Sequence, residues 1–180
     1  MKKMNSSQLR NINPHIGQDL SQNVKRNPIY FILEHVYDTY NVGGLFRLAD
    51  ALAVEKIYLC GEMETPPNHK IQKASIGTYK IVPWEYKKSA SIAIKELKAL
   101  KQKPAIIAVE QDERSVEYTS IDYSFPVAIL VGNETYGVLP ETLDLCDQIV
   151  EIPMWGINKS LNVIVSAAIV GYEVSKHLVD

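Results

Sequence analysis

The sequence predicts an α/β domain: a mostly parallel β-sheet flanked by helices. Three observations point there. Short runs rich in Val, Ile and Leu alternate with longer stretches whose apolar residues recur at helical spacing. Several of those runs, residues 127–131 above all, are continuously apolar, as strands covered on both faces must be. Finally, the 180 residues contain no repeat, low-complexity tract or linker that would divide them, so a single core is expected.

The elements follow in chain order. Residues 1–28 read as a short helical N-terminal extension, in which Asn11-Ile12-Asn13-Pro14 is a turn signal and Lys25-Arg26-Asn27-Pro28 leads into the first strand. Residues 29–180 are expected to form the domain proper. Strands are expected at 29–33, 56–60, 79–82, 105–109, 127–131 and 148–152. Between them, residues 42–53 carry Val42, Leu45, Phe46, Ala49 and Ala53 at helical spacing. A second helix is expected over 89–101, with Lys95, Lys98, Lys101 and Lys103 on or beyond its polar face, and a short one near 140–146. The last helix, 160–178, is apolar nearly all round (Leu161, Val163, Ile164, Val165, Ala167, Ala168, Ile169, Val170), so it must be buried or paired with another subunit. In open sheets of this kind ligands bind beyond the carboxyl ends of the strands.

Composition excludes several classes. With 46% apolar and 22% charged residues the chain is an ordinary globular one, and no apolar run approaches the roughly 18 residues that span a bilayer. Met1-Lys2-Lys3-Met4 has charge but no apolar segment behind it, which argues against a secretory signal. Cys60 and Cys146 are isolated, and His15, His35, His69 and His177 form no ligand motif, so no metal is expected and a reducing cytoplasm is the expected compartment. The net charge of −2 conceals an asymmetry. Residues 1–103 carry 16 Lys and Arg against 9 Asp and Glu, whereas residues 104–180 carry 3 against 12. A basic front half suits an RNA partner; it is equally what solvated helix faces would give.

Three clusters could carry chemistry. Asn41-Val42-Gly43-Gly44-Leu45-Phe46-Arg47 follows a strand and opens a helix. Asn41 is a suitable N-cap, the glycines allow close approach, and the helix N-terminus suits a phosphate. Alone, it is also a capped surface helix with an exposed arginine. Val131-Gly132-Asn133-Glu134-Thr135-Tyr136-Gly137 follows the most apolar strand, but Val138 and Leu139 stand where a Walker loop needs Lys and Ser or Thr. It offers a carboxylate and an amide at a strand mouth, or simply a glycine turn. Ile152-Pro153-Met154-Trp155-Gly156-Ile157-Asn158-Lys159-Ser160-Leu161-Asn162-Val163 leads from a strand into the last helix. There Asn158 or Ser160 could cap the helix, and Asn162, set in an apolar run, needs hydrogen-bonding partners.

Together, in this order, the clusters resemble the signature motifs of the SpoU/TrmH branch of the SPOUT methyltransferases: Asn41/Gly43/Arg47, then Gly132/Glu134/Gly137, then Ile152/Pro153/Met154 with Ser160/Leu161/Asn162/Val163. The likeness runs from about Tyr30 to about Glu173. It implies an α/β domain with a deep C-terminal trefoil knot, against the usual rule of unknotted connections. It implies a homodimer with the last helix and the first-motif helix near the interface. It also implies S-adenosyl-L-methionine as cofactor, contacted by Val109, Glu110, Gly132, Ile152 and Leu161 largely through backbone and apolar surface.

The implied reaction is attack of a ribose 2′-oxygen of tRNA, or alternatively of rRNA, on the sulfonium methyl. Arg47 would act as base or, since arginine is effectively always protonated, as stabiliser of the developing alkoxide. Asn41, Glu134, Ser160 and Asn162 would complete the catalytic pocket. Many relatives carry a separate RNA-binding domain that is not apparent here. The stretch 70–88, with Lys70, Lys73, Lys80, Lys87 and Lys88 beside Tyr79, Trp84 and Tyr86, is therefore a candidate RNA surface, unless its aromatics are packed beneath a loop. The competing readings are a cofactor-binding RNA module without catalysis, and a methyltransferase of another fold. The lack of a GxGxxG turn after the first strand opposes the latter.

Overall fold

A computed structural model describes residues 3–178. Among them, seven strands form one parallel sheet: β1 (Asn27–Glu34), β2 (Val54–Cys60), β3 (Trp84–Lys87), β4 (Ala105–Val109), β5 (Val116–Glu117), β6 (Val127–Val131) and β7 (Gln148–Glu151). Their order is β3-β2-β1-β6-β4-β7-β5, which places β1 and β6 side by side near the middle. Side chains alternate across the sheet, and each set meets its own helices. Phe31, Ile57, Ile129 and Val150 pack with α3 (Thr39–Ala51), α4 (His69–Ser75) and α7 (Val163–Ser175). Ile32, Tyr58, Leu130 and Ile149 pack with α5 (Ala90–Lys98) and α6 (Pro140–Leu143). The α/β architecture with a mostly parallel, helix-flanked sheet is therefore as the sequence implies.

Before the sheet come two short helices, α1 (Ser6–Arg10) and α2 (Pro14–Gln22), each started by an asparagine cap, Asn5 and Asn13. Arg26 fastens this segment. Its guanidinium donates to the carbonyls of Val54 (3.0 Å) and Ile81 (2.9 Å) and to the Ser21 hydroxyl (2.9 Å). Among the described residues no helix is long and apolar enough to cross a membrane, and no group of three or more His, Cys, Asp or Glu is placed to hold a metal.

Several elements depart from expectation. Residues 79–82 are not a strand. After Ile76 and Gly77, both in the left-handed region, the chain makes a 3₁₀ turn, Thr78–Lys80, and the amides of Ile81 and Val82 both donate to the Thr78 carbonyl. Ile81 and Val82 are buried as a plug, and the strand starts only after Pro83. The helix His69–Ser75, capped by Asn68, and the two-residue strand Val116–Glu117 were not expected at all. The first-motif helix starts at Thr39, because Asp38 accepts from the Tyr40 amide and is the cap. Asn41 therefore lies inside the first turn. The last helix starts at Val163, and its cap is Asn162 rather than Asn158 or Ser160. It buries Val163, Ala167, Val170 and Val174 but leaves Val165 and Tyr172 in solvent, so one apolar side is uncovered within this chain.

Candidate active site

The carboxyl ends of β4, β6 and β7 open into a cavity of about 490 Å³, within the range of small-molecule sites. Its walls are the loops that follow those three strands. Val109, Glu110 and Gln111 come from the first, residues Val131 to Thr135 and Gly137 from the second, and Ile152, Met154 and residues Asn158 to Val163 from the third. Each loop is held by a specific contact. The Asn133 and Gly137 amides exchange hydrogen bonds of 2.9 and 3.0 Å with each other's carbonyls, making a tight turn. A Cβ on Gly132 would overlap the backbone of Gly137 and Val138, so only glycine fits there. Glu110 accepts from the Val138 amide at 2.8 Å and from the Gln111 amide at 2.9 Å, tying the first loop to the second. Gln111 donates in turn to the Lys159 carbonyl, tying the first to the third. Beneath them, buried Glu34 at the end of β1 accepts from the Leu139 amide (2.9 Å) and the Thr142 hydroxyl (2.7 Å).

At the cavity's edge a polar chain links all three motifs. Asn41, only 6% exposed, donates from Nδ2 to Glu134 Oε1 at 2.8 Å. Its Oδ1 accepts from Asn162 Nδ2 at 3.0 Å. Asn162 Oδ1 then accepts from the Ile164 amide at 2.9 Å, capping α7. Glu134 also accepts from the amides of Tyr37 and Asp38, both at 3.2 Å. Asn162 thus finds its partners at a helix end, not in the interior of an apolar run. The glycines of the first motif serve packing rather than phosphate: a side chain at Gly43 would strike α4, and one at Gly44 would strike Ile164 of α7.

The expected cofactor contacts Val109, Glu110, Gly132, Ile152 and Leu161 all line the cavity, as do Glu134, Ser160 and Asn162. Arg47 does not. It lies about 9 Å along α3 from Asn41 at 1.5 Å per residue, leaves the helix on another side and is exposed. Asn133, the amide the sequence offered at the strand mouth, donates to the His35 carbonyl (2.8 Å) and accepts from the Thr135 and Tyr136 amides. Sequence reasoning missed Gln111, and it matched Met154 to the third motif without giving it a place in the cofactor site. The basic stretch 70–88 proves divided. Lys87 is held by Glu85 and Glu96, and the Trp84 ring stands edge-on to Phe46 at 6.3 Å. Lys73, Tyr79 and Lys80 lie elsewhere, around a separate pocket.

The sequence matches the SpoU rRNA Methylase family over residues 28–172. The chain belongs to that family. It is 32% identical over 147 residues to the tRNA (guanosine(18)-2′-O)-methyltransferase of Escherichia coli (strain K12), which covers 80% of this chain and 61% of that enzyme. The Thermus thermophilus protein of the same name is 30% identical over 156 residues, covering 84% of this chain and 77% of that one. Among solved structures, the AdoMet-bound rRNA methyltransferase from Sinorhizobium meliloti superposes with a TM-score of 0.78 at 28% identity, covering 96% of this chain and 61% of that one. The TrmH/SpoU tRNA-modifying enzyme of A. aeolicus gives 0.75 at 27%, covering 91% and 81%. The chain thus spans about three-fifths of the E. coli relative's length. Family membership accounts for the order of the three motifs.

Proposed function

We propose that this SpoU-family chain is an S-adenosylmethionine-dependent RNA methyltransferase that methylates a ribose 2′-hydroxyl, with tRNA the favoured substrate and rRNA the alternative. The observation that carries the reading is the single cavity enclosed by the loops after β4, β6 and β7 and joined to the first motif through Asn41. The cavity fits the cofactor chemically. It offers apolar surface from Val109, Ile152, Met154 and Leu161 and backbone groups at Gly132. Glu110, Glu134 and Glu151 line it against one lysine, Lys159, an excess of negative charge that suits a sulfonium and an ammonium. When bound, the cofactor supplies the methyl group on its sulfonium.

The chain's own groups would do the rest. Val109, Glu110, Gly132, Ile152 and Leu161 would hold the cofactor, whose methyl group would be taken up by a ribose 2′-oxygen as the hydroxyl proton is lost to solvent. Asn41, Glu134, Ser160 and Asn162 fix the polar rim that positions the ribose. Arg47 contributes a permanent positive charge to the developing alkoxide or the adjoining phosphate.

That role requires Arg47 to meet a pocket, and a homodimer supplies one. Tyr40, Gly44, Arg47 and Ala51 share the outward side of α3, which abuts α7 where Gly44 meets Ile164. Leu161, at the entry to α7, and Val165 and Tyr172 on it are exposed apolar side chains. Two copies joined there would place Arg47 at the seam. Also proposed on the family resemblance are the deep trefoil knot in the C-terminal region, supported by the mutual packing of the three loops, a cytoplasmic location, and a division into an extension (1–28) and a methyltransferase domain (29–180).

The test is methyl transfer from labelled S-adenosylmethionine to unmodified total tRNA and, separately, rRNA, with Arg47→Ala alongside. A 2′-O-methylated nucleoside that is lost in the variant supports the reaction and the role of Arg47, and its parent RNA names the substrate. Cofactor binding without label in either pool favours the non-catalytic module instead.

A further inference from the structure

The N-terminal segment and the α4 region enclose a second pocket, of about 380 Å³, remote in composition from the first. Arg10, His69, Lys73, Tyr79 and Lys80 line it, and no carboxylate does. Several cations elsewhere are neutralised in place: Lys87 by Glu85 and Glu96, Lys98 by Asp147, and Arg114 by Asp112 and Asp144. Among the described residues Arg10, Lys73 and Lys80 have no carboxylate within ion-pairing distance.

The pocket is also built rather than incidental. Lys80 donates to the carbonyls of Arg10 (3.1 Å) and Ile12 (2.9 Å), which pins the N-terminal segment against the 3₁₀ turn and leaves one ammonium proton unspent. The same ammonium stands 5.8 Å from the centre of the Tyr79 ring. Lys80 thus assembles the pocket while contributing charge to it. Concentrated positive charge beside a half-exposed aromatic ring is the chemistry of a nucleic-acid backbone contact.

We infer that this pocket binds phosphates of the RNA substrate's backbone, with Arg10 and Lys73 as the principal contacts and Lys80 as the residue that positions Arg10. The N-terminal segment is therefore part of the RNA interface, folded onto the domain before RNA arrives. The inference rests on the RNA-methyltransferase reading, and its test is a binding measurement that can fail separately from it.

Affinity of the full chain for unmodified total tRNA is measured by filter binding at several salt concentrations, for wild type, R10Q/K73Q, and the charge-matched control K101Q/K103Q. The control lysines follow α5, on the opposite face of the sheet. Loss of two phosphate contacts predicts affinity weaker by about tenfold near physiological salt and a salt slope shallower by about 2. Calorimetric affinity for S-adenosylmethionine and the melting temperature stay at wild-type values. An unchanged slope in R10Q/K73Q overturns the inference, as does an equal loss in the control, which would make the effect one of net charge. A pyrophosphate-induced thermal shift that vanishes in R10Q/K73Q while tRNA affinity holds would assign the pocket to a small free anion and overturn it too. Wild-type chain that binds tRNA through this pocket yet transfers no methyl group would leave the inference standing and remove the catalytic reading. Absence of binding to tRNA and, in the same assay, to rRNA removes both.

Discussion

Replacing Asn41 by alanine removes one hydrogen bond to a carboxylate, at 2.8 Å, and one to a neutral amide, at 3.0 Å, from a side chain that is 6% exposed. Water cannot readily substitute at so buried a position, so the two losses together cost about 2.5–4 kcal/mol. For a chain of this length each kcal/mol lowers the melting temperature by about 2–4 °C, so a fall of about 5–15 °C is expected. Glu134→Ala loses the same bond to Asn41 and two bonds from backbone amides that solvent can replace. The shared bond would be counted twice if the single effects were added. A double-mutant cycle should therefore return a coupling of about 1.5–2.5 kcal/mol between residues 93 positions apart. Urea unfolding is the assay, at one fixed protomer concentration because association shifts apparent stability. Thr142→Val, which breaks the separate bond to Glu34, serves as an additive control against Asn41→Ala. Additivity of Asn41→Ala and Glu134→Ala within about 0.5 kcal/mol would refute the linkage of first and second motifs described above.

Gly132→Ala forces a methyl group into the backbone of Gly137 and Val138, so calorimetry should show S-adenosylmethionine affinity reduced at least about tenfold; unchanged affinity would show that the turn is not required. Tyr172→Glu places a charge on the uncovered side of α7, and light scattering should find it monomeric at concentrations where the proposed dimer is expected of the wild type. Burial pushes the Cys60 and Cys146 thiols up to about 12, so at pH 8 iodoacetamide should label the folded chain about a thousandfold more slowly than the urea-unfolded chain, whose thiols titrate near 8.5. A thiol whose pKa is raised by folding stabilises the fold fully below the unfolded value. Stability should accordingly fall as pH climbs from about 8.5 toward 12, and less so in Cys60→Ala.

The alternation of apolar runs with helical stretches was enough to read most of the sheet, because strands covered on both faces have little freedom in composition. Residues 79–82 misled for a physical reason. Ile81 and Val82 are apolar because they plug the space under the turn, and burial selects the same side chains whether or not the backbone is extended. The helix His69–Ser75 has too few apolar positions, Ile71 chief among them, to show a period. At the site, the residue types pointed to the right loops, but partnership was hidden. Asp38 and Asn41 are both good caps by composition, and only the fold decides that Asp38 caps while Asn41 turns inward to Glu134 and Asn162. Nothing local in the sequence tells that Arg47 leaves α3 away from the cavity or that Lys87 is neutralised whereas Lys73 is not.

The bond from Asn162 to Asn41 closes over 121 residues, and the strand beside β1 in the middle of the sheet, β6, begins only at Val127. At translation rates of about 5–20 residues per second, Asn41 waits about 6–24 s for its second partner to be made. Until β6 is made β1 can pair with β2 but has nothing on its other edge, and until Asn162 follows the cavity lacks its third wall. A nascent or truncated chain that stops before Asn162 therefore has no complete place for a methyl donor. Retention of the donor becomes a report that the third loop has been made and seated against the first motif.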